Sequence, residues 1–312
     1  MLDIENLEHQ TYRAASLAGL FYPDEGILVQ SVLQSFGLIQ NPRINTHCVF
    51  LPHGSWHVMG NPLSLAYNSL INRDENPKSK GLISRVVMLG RRHHADDAGI
   101  FLSESDYFET PIGDLKIDKK INESLLSCNT LFELNDIPHL QEDINESHFP
   151  FVKYMFPEAS FIPVLIGGFE QKTMTSLAKA LKVVFEPILD DTLFVVVSNS
   201  SNHADAQIAK TQSEKFISLV REKNGAELLR NFHEGSISAC GSLAMAALLE
   251  SGLLENTAMS QIFKANGSLL DVDNKTVYYS ALNFPKKPDS LEPFVERRNR
   301  EDRRLNDRRN ND

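Results

Sequence analysis

Thr46-His47-Cys48-Val49-Phe50-Leu51-Pro52-His53 is the stretch on which the fold turns. From Cys48 to Leu51 the side chains are apolar without alternation. A strand that faces water on one side alternates apolar with polar, so this run reads as a strand buried on both faces. Pro52 ends it, because proline lacks the N–H that a ladder needs. The residue delivered at the exit is His53.

Three more runs have the same character. Arg85-Val86-Val87-Met88-Leu89 closes on Gly90, and Ser160-Phe161-Ile162-Pro163-Val164-Leu165-Ile166 closes on Gly167-Gly168. Thr192-Leu193-Phe194-Val195-Val196-Val197 leads into Ser198-Asn199-Ser200. Between and after them lie stretches with apolar residues at three- and four-residue spacing: 62–72, 171–185, 213–223 and 242–251. Strands alternating with helices predict an α/β fold, with a mostly parallel central sheet flanked by helices. Val277-Tyr278-Tyr279-Ser280-Ala281-Leu282 reads as a late strand at an edge of that sheet.

No linker or internal repeat interrupts residues 1–285, which are expected to form one domain. From residue 286 to 312 the composition changes. Glu296-Arg297-Arg298, Asp302-Arg303-Arg304 and Asp307-Arg308-Arg309 occur with almost no apolar residues, so a charged tail, disordered or lying on the surface, is expected.

The 312 residues are 42% hydrophobic and 23% charged, with a formal net charge of −10. That balance excludes a nucleic-acid binder driven by phosphate contacts. Cys48, Cys128 and Cys240 are scattered and include no CxxC pair, so no disulfide framework is expected. No apolar run approaches a membrane span, and the opening Met1 to Gln10 is polar and acidic. The expected setting is the cytoplasm, with no membrane and no nucleic-acid partner.

Three of the strand-like runs lead directly to histidine: Leu51-Pro52-His53, Leu89-Gly90-Arg91-Arg92-His93-His94, and Val197-Ser198-Asn199-Ser200-Ser201-Asn202-His203. Ligand crevices of open parallel sheets lie outside the carboxyl ends of their strands. Imidazoles delivered there suit zinc, iron or copper. A single such histidine is an ordinary surface or hydrogen-bonded residue; three can converge. Of the adjacent pair, one is assigned to a metal and His94 to the surrounding pocket. Cys240-Gly241 stands at the start of a helical stretch, where the helix dipole favours thiolate. Cys240 is therefore a candidate ligand or nucleophile, against the plainer reading of a small buried side chain.

With these residues in place the chain resembles the Memo family, which includes the bacterial and archaeal AmmeMemoRadiSam system protein B. The resemblance runs in order from Arg13-Ala14-Ala15-Ser16-Leu17-Ala18-Gly19-Leu20-Phe21-Tyr22-Pro23 through Leu51-Pro52-His53-Gly54, Gly90-Arg91-Arg92-His93-His94 and Thr110-Pro111-Ile112-Gly113. It continues through Ile162-Pro163-Val164-Leu165-Ile166-Gly167, Ser198-Asn199-Ser200-Ser201-Asn202-His203 and Cys240-Gly241, and ends near Phe284. It implies the fold of the catalytic subunit of class III extradiol ring-cleaving dioxygenases. It also implies a divalent metal held by His53, His93 and Cys240, iron ahead of copper or zinc, with His203 as a further ligand or proton-handling group. His203 and Cys240 are thereby the candidate catalytic residues, and a radical-SAM system protein is an implied partner.

The departures matter as much. Ser200 stands where the family has an aspartate before the last histidine. Asp143, in Glu142-Asp143-Ile144-Asn145-Glu146-Ser147, stands where the family has a histidine, and Arg91-Arg92 replaces a small Pro-Ser. Two arginines at the pocket mouth would attract an anionic group. A thiolate in place of the dioxygenase carboxylate counts against ring cleavage. The expected function is a Memo-like metal-dependent oxidoreductase. The alternative is a non-catalytic protein that binds a small molecule or peptide on the same fold. A Cys240–His203 hydrolase pair has no nucleophile-elbow sequence behind it.

Overall fold

The computed structural model describes residues 10–71, 82–94, 98–142, 145–267 and 276–286. In chain order the strands are β1 (Tyr12–Arg13), β2 (Thr46–Leu51), β3 (Arg85–Arg91), β4 (Gly99–Leu102), β5 (Tyr107–Phe108) and β6 (Leu115–Lys116). They continue with β7 (Phe132–Leu134), β8 (Ser160–Gly167), β9 (Thr192–Val197), β10 (Ser201–His203), β11 (Ser260–Gly267) and β12 (Thr276–Pro285). Nine of them form the main sheet, in the order β10-β12-β2-β9-β3-β8-β4-β7 with β11 paired to β12; β1, β5 and β6 form a small second sheet.

The centre of the main sheet is parallel: β2 with β9, β9 with β3, and β3 with β8. These four are the apolar runs read from sequence, and two of them, β2 and β9, keep the bounds read there. Every residue of β2 and β9 is buried. Along β2, Cys48 and Phe50 join one apolar cluster, while Val49 and Leu51 join another. The first cluster includes the helices Gln171–Phe185, Ala206–Arg221, Gly225–His233 and Ser242–Glu250. The second includes Gly26–Ser35, Trp56–Ser69 and Phe149–Met155. Helices on both faces explain the missing alternation. At about 1.5–3 kcal/mol per fully buried large apolar side chain, this double cover is the main source of stability.

On either side the parallel core continues through antiparallel pairs, and the outermost pair on one side, β4 with β7, is parallel again. β12 pairs antiparallel with β2, β10 and β11, and β4 pairs antiparallel with β8. The late strand is therefore not at an edge. Residues Tyr278 to Phe284 are buried because neighbours flank them on both sides. The helix expected from residue 62 begins at Trp56, with Pro62 inside it. Trp56 is fixed early, its indole N–H donating to Ser147 O at 2.8 Å and its ring packing edge-on to Phe151. The helix expected from residue 213 begins at Ala206, because the Asp205 carboxylate accepts from the N–H groups of Gln207 and Ile208. Of the charged tail only Lys286 is among the described residues; 287–312 lie outside them, as does Asp143.

Candidate metal centre

Because β2, β9, β3 and β8 are parallel, their carboxyl ends share one edge of the sheet. His53 follows β2 by two residues, and His93 follows β3 by two. The end of β9 lies between them, and there Ser198 N–H donates to Leu51 O at 2.8 Å. Ser198 also fixes the third donor. Its Oγ accepts from Gly241 N at 2.7 Å and lies 3.3 Å from Cys240 Sγ. A β-carbon on Gly241 would fall 2.6 Å from Ser198 Cβ, so only glycine permits this approach. Cys240 thus sits against the sheet edge just ahead of the helix Ser242–Glu250.

One donor atom each from His53, His93 and Cys240 lie within 4.8 Å of one another. Cys240 Sγ is 3.7 Å from His53 Nε2, and the two histidine rings are 6.0 Å apart, centre to centre. Around a tetrahedral zinc-like ion, with bonds of roughly 2.0–2.3 Å, neighbouring N and S ligands stand roughly 3.6 Å apart. The Cys240–His53 spacing is close to that edge.

Electrostatics couple the same side chains to one another. Burial works against a Cys240 thiolate, but hydrogen bonds and charge from His53 and His93 outweigh it and hold the thiol well below its usual pKa. Burial likewise opposes the His93 imidazolium, yet Cys240 and Glu142 raise its pKa to about 9. Glu142 grips His93 with both oxygens: Oε2 accepts from the His93 backbone N–H at 2.5 Å, and Oε1 lies 3.0 Å from Nδ1. Burial raises the Glu142 carboxyl, and His93 more than reverses this, leaving it below the ordinary value.

The remaining sequence candidates stand outside the donor group. His203 is on the edge strand β10, its Nδ1 accepts from Asp205 N–H at 2.9 Å, and it is not in the three-residue donor group. Ser200 is fully buried, with its Oγ 2.8 Å from Ser213 Oγ, 2.9 Å from Tyr278 O and 3.2 Å from Ser280 Oγ. The Arg91 guanidinium lies over the Phe169 ring at 4.2 Å, and Arg92 lies over Phe101 at 5.0 Å. Arg91, Phe169, Gly241 and Leu243 line a small cleft beside Cys240. His94 is exposed. Sequence reasoning missed Ser198 and Glu142. Both stand in quoted motifs, but nothing in their spacing ties them to Cys240 or His93.

The fold and this edge define an α/β protein with a His/His/Cys cluster at the carboxyl ends of a parallel core. The family model described as "Memo-like protein" matches residues 13–280, and the chain belongs to that family. It is similar to a MEMO1 family protein of Thermoplasma acidophilum, 23% identical over 239 residues, covering 76% of this chain and 85% of the relative. A MEMO1 family protein of Aquifex aeolicus is 25% identical over 241 residues (77% and 85%), and one of Methanocaldococcus jannaschii is 25% identical over 252 (76% and 86%). The crystal structure of an uncharacterized protein from Escherichia coli K12 aligns with 76% of this chain and 98% of its own at a TM-score of 0.44 and 10% identity. Among the described residues no helix is long and apolar enough to cross a membrane.

Proposed function

We propose that His53, His93 and Cys240 hold a divalent metal, and that the centre serves an oxidoreductase reaction on a small molecule. The observation that carries this reading is the approach of three donors from three separate segments to within 4.8 Å. The donor set fits. Two imidazoles and a thiolate suit iron, copper and zinc, and the resemblance supports iron as the first candidate. Three protein ligands leave a tetrahedral ion one position for water or substrate. When bound, the ion would supply Lewis acidity and, for iron or copper, redox chemistry toward oxygen or an oxidisable small molecule. The chain's own residues bind and orient: Ser198 holds the Cys240 turn, and Glu142 holds His93.

Metal analysis of protein purified without a histidine tag tests the reading. Stoichiometric iron, copper or zinc is expected, with loss of that metal in His53→Ala and Cys240→Ser. Metal-free wild-type protein that also fails to take up added ion would sink it.

A second reading, ligand binding without turnover, draws on Ser200. That side chain is engaged by two serine hydroxyls and a backbone carbonyl, and it offers the centre no acid. Oxygen consumption by metal-loaded protein with a catechol or thiol would exclude it.

A further inference from the structure

We infer that Glu142 is the positioning residue that fixes the tautomer and direction of His93, within a brace that also supports the turn carrying His53. This rests on the metal-site reading above. Glu142 is 4% exposed and spends both oxygens on one partner, the backbone N–H and the ring Nδ1 of His93. An ionised carboxylate only accepts, so Nδ1 carries the proton and Nε2 is the nitrogen left for an ion. Holding backbone and ring together also restricts rotation of the side chain.

The residues that follow reach the other histidine turn. His148 Nε2 lies 3.0 Å from the carbonyl of Pro52, the residue before His53. That carbonyl can only accept, so Nε2 bears the proton and the bare Nδ1 accepts from Tyr67 O–H at 3.2 Å. Ser147 O takes the indole N–H of Trp56, three residues past His53. The Asn145 side chain packs against Gly90, at the end of β3. Glu142 and residues 145–148 therefore support two metal-ligand turns that come from different strands. The resemblance places an acid at position 200. There Ser200 is tied up in hydroxyl contacts, and among the described residues the carboxylate touching a cluster histidine is Glu142.

The test is Glu142→Gln, whose carboxamide presents one acceptor oxygen to two donors. Zinc affinity, measured by competition with a chromophoric chelator, should fall 10–100-fold, the range seen when such outer partners are removed. In the cobalt(II)-loaded variant the thiolate charge-transfer band should persist while the ligand-field bands move. A folded variant with unchanged affinity and unchanged bands overturns the inference and leaves the metal site standing. Should the variant not fold, zinc-loaded wild-type protein labelled with ¹⁵N-histidine gives the answer. A solvent-protected Nδ1–H resonance, assigned by its loss in His93→Ala, is expected; zinc on Nδ1 overturns the inference. Wild-type protein that binds neither zinc nor cobalt overturns the metal reading, and this inference with it.

Discussion

A β-carbon placed on Gly90 would lie 2.3 Å from Oδ1 of Asn145. Asn145 is 4% exposed, and its amide has little room to withdraw. Gly90→Ala is therefore an overpacking change at the point where the brace meets β3, and it should cost about 1–3 kcal/mol in urea denaturation. Asn145→Ala in the same chain should restore most of that loss, since the two side chains would no longer compete for the space. Equal destabilisation in the single and double variants would show that the strain lies elsewhere.

The three cysteines should separate by reactivity. Cys240 is partly exposed and held toward thiolate by His53 and His93, whereas Cys48 is fully buried and its thiol pKa is pushed up by desolvation. Thiolate is the nucleophile. In metal-free protein at neutral pH, iodoacetamide should modify Cys240 first, the exposed Cys128 more slowly, and Cys48 only after unfolding. Peptide mass spectrometry reads the order. Zinc should protect Cys240 alone, and His53→Ala should slow its modification.

The strands that carry the donors were legible because burial on both faces leaves an unbroken apolar run. The bounds of β2 and β9 follow from where such runs stop. The short strands β4 and β7, of four and three residues, give no window in which a period can register. The strand-end rule picks His53, His93 and His203; the first two stand in the donor group and His203 does not. After Val197 the chain leaves the parallel core and enters β10, paired antiparallel to β12, and this carries His203 to the sheet edge. Glu142 was unreadable as a partner of His93 because 49 residues separate them. Their meeting is a property of the folded chain and not of any local pattern.

Acid should destabilise the fold earlier than its carboxylates alone would. Burial lowers the pKa of His139 to about 4 and of His148 to about 3. In the unfolded chain both imidazoles take up a proton near pH 6.5. Between that value and their folded values the unfolded state binds more protons, so stability falls as pH falls, and it is fully present above about pH 7. The two groups together contribute a slope of up to about 2.7 kcal/mol per pH unit. Urea titrations at pH 7.5, 6 and 5 should show it, and His139→Gln should remove about half. A variant with the wild-type slope would mean that His139 is protonated in the fold.

Arg13 and Glu146 join the N-terminal segment to the brace, and their ion pair is sealed from water. Arg13 is 2% exposed and Glu146 is fully buried, with Nη1 to Oε2 at 2.6 Å. Glu146 also accepts from Ser16 Oγ, Leu17 N–H and Tyr22 O–H, and Arg13 Nε donates to His139 O. Each charge has hydrogen bonds to offset its desolvation, so removing one partner strands the other. Glu146→Gln should cost about 3–5 kcal/mol, because it leaves the Arg13 guanidinium buried without a counter-charge. Burial, and then Glu146, raise the pKa of the Tyr22 hydroxyl above its ordinary value. In the variant that hydroxyl should ionise at lower pH, by ultraviolet titration of the difference between Glu146→Gln and Glu146→Gln/Tyr22→Phe. The double variant Arg13→Met/Glu146→Leu, which removes both charges, should recover much of the lost stability. A double variant no more stable than Glu146→Gln would show that the hydrogen bonds to Ser16, Leu17 and Tyr22, and not the charge pair, hold this segment down.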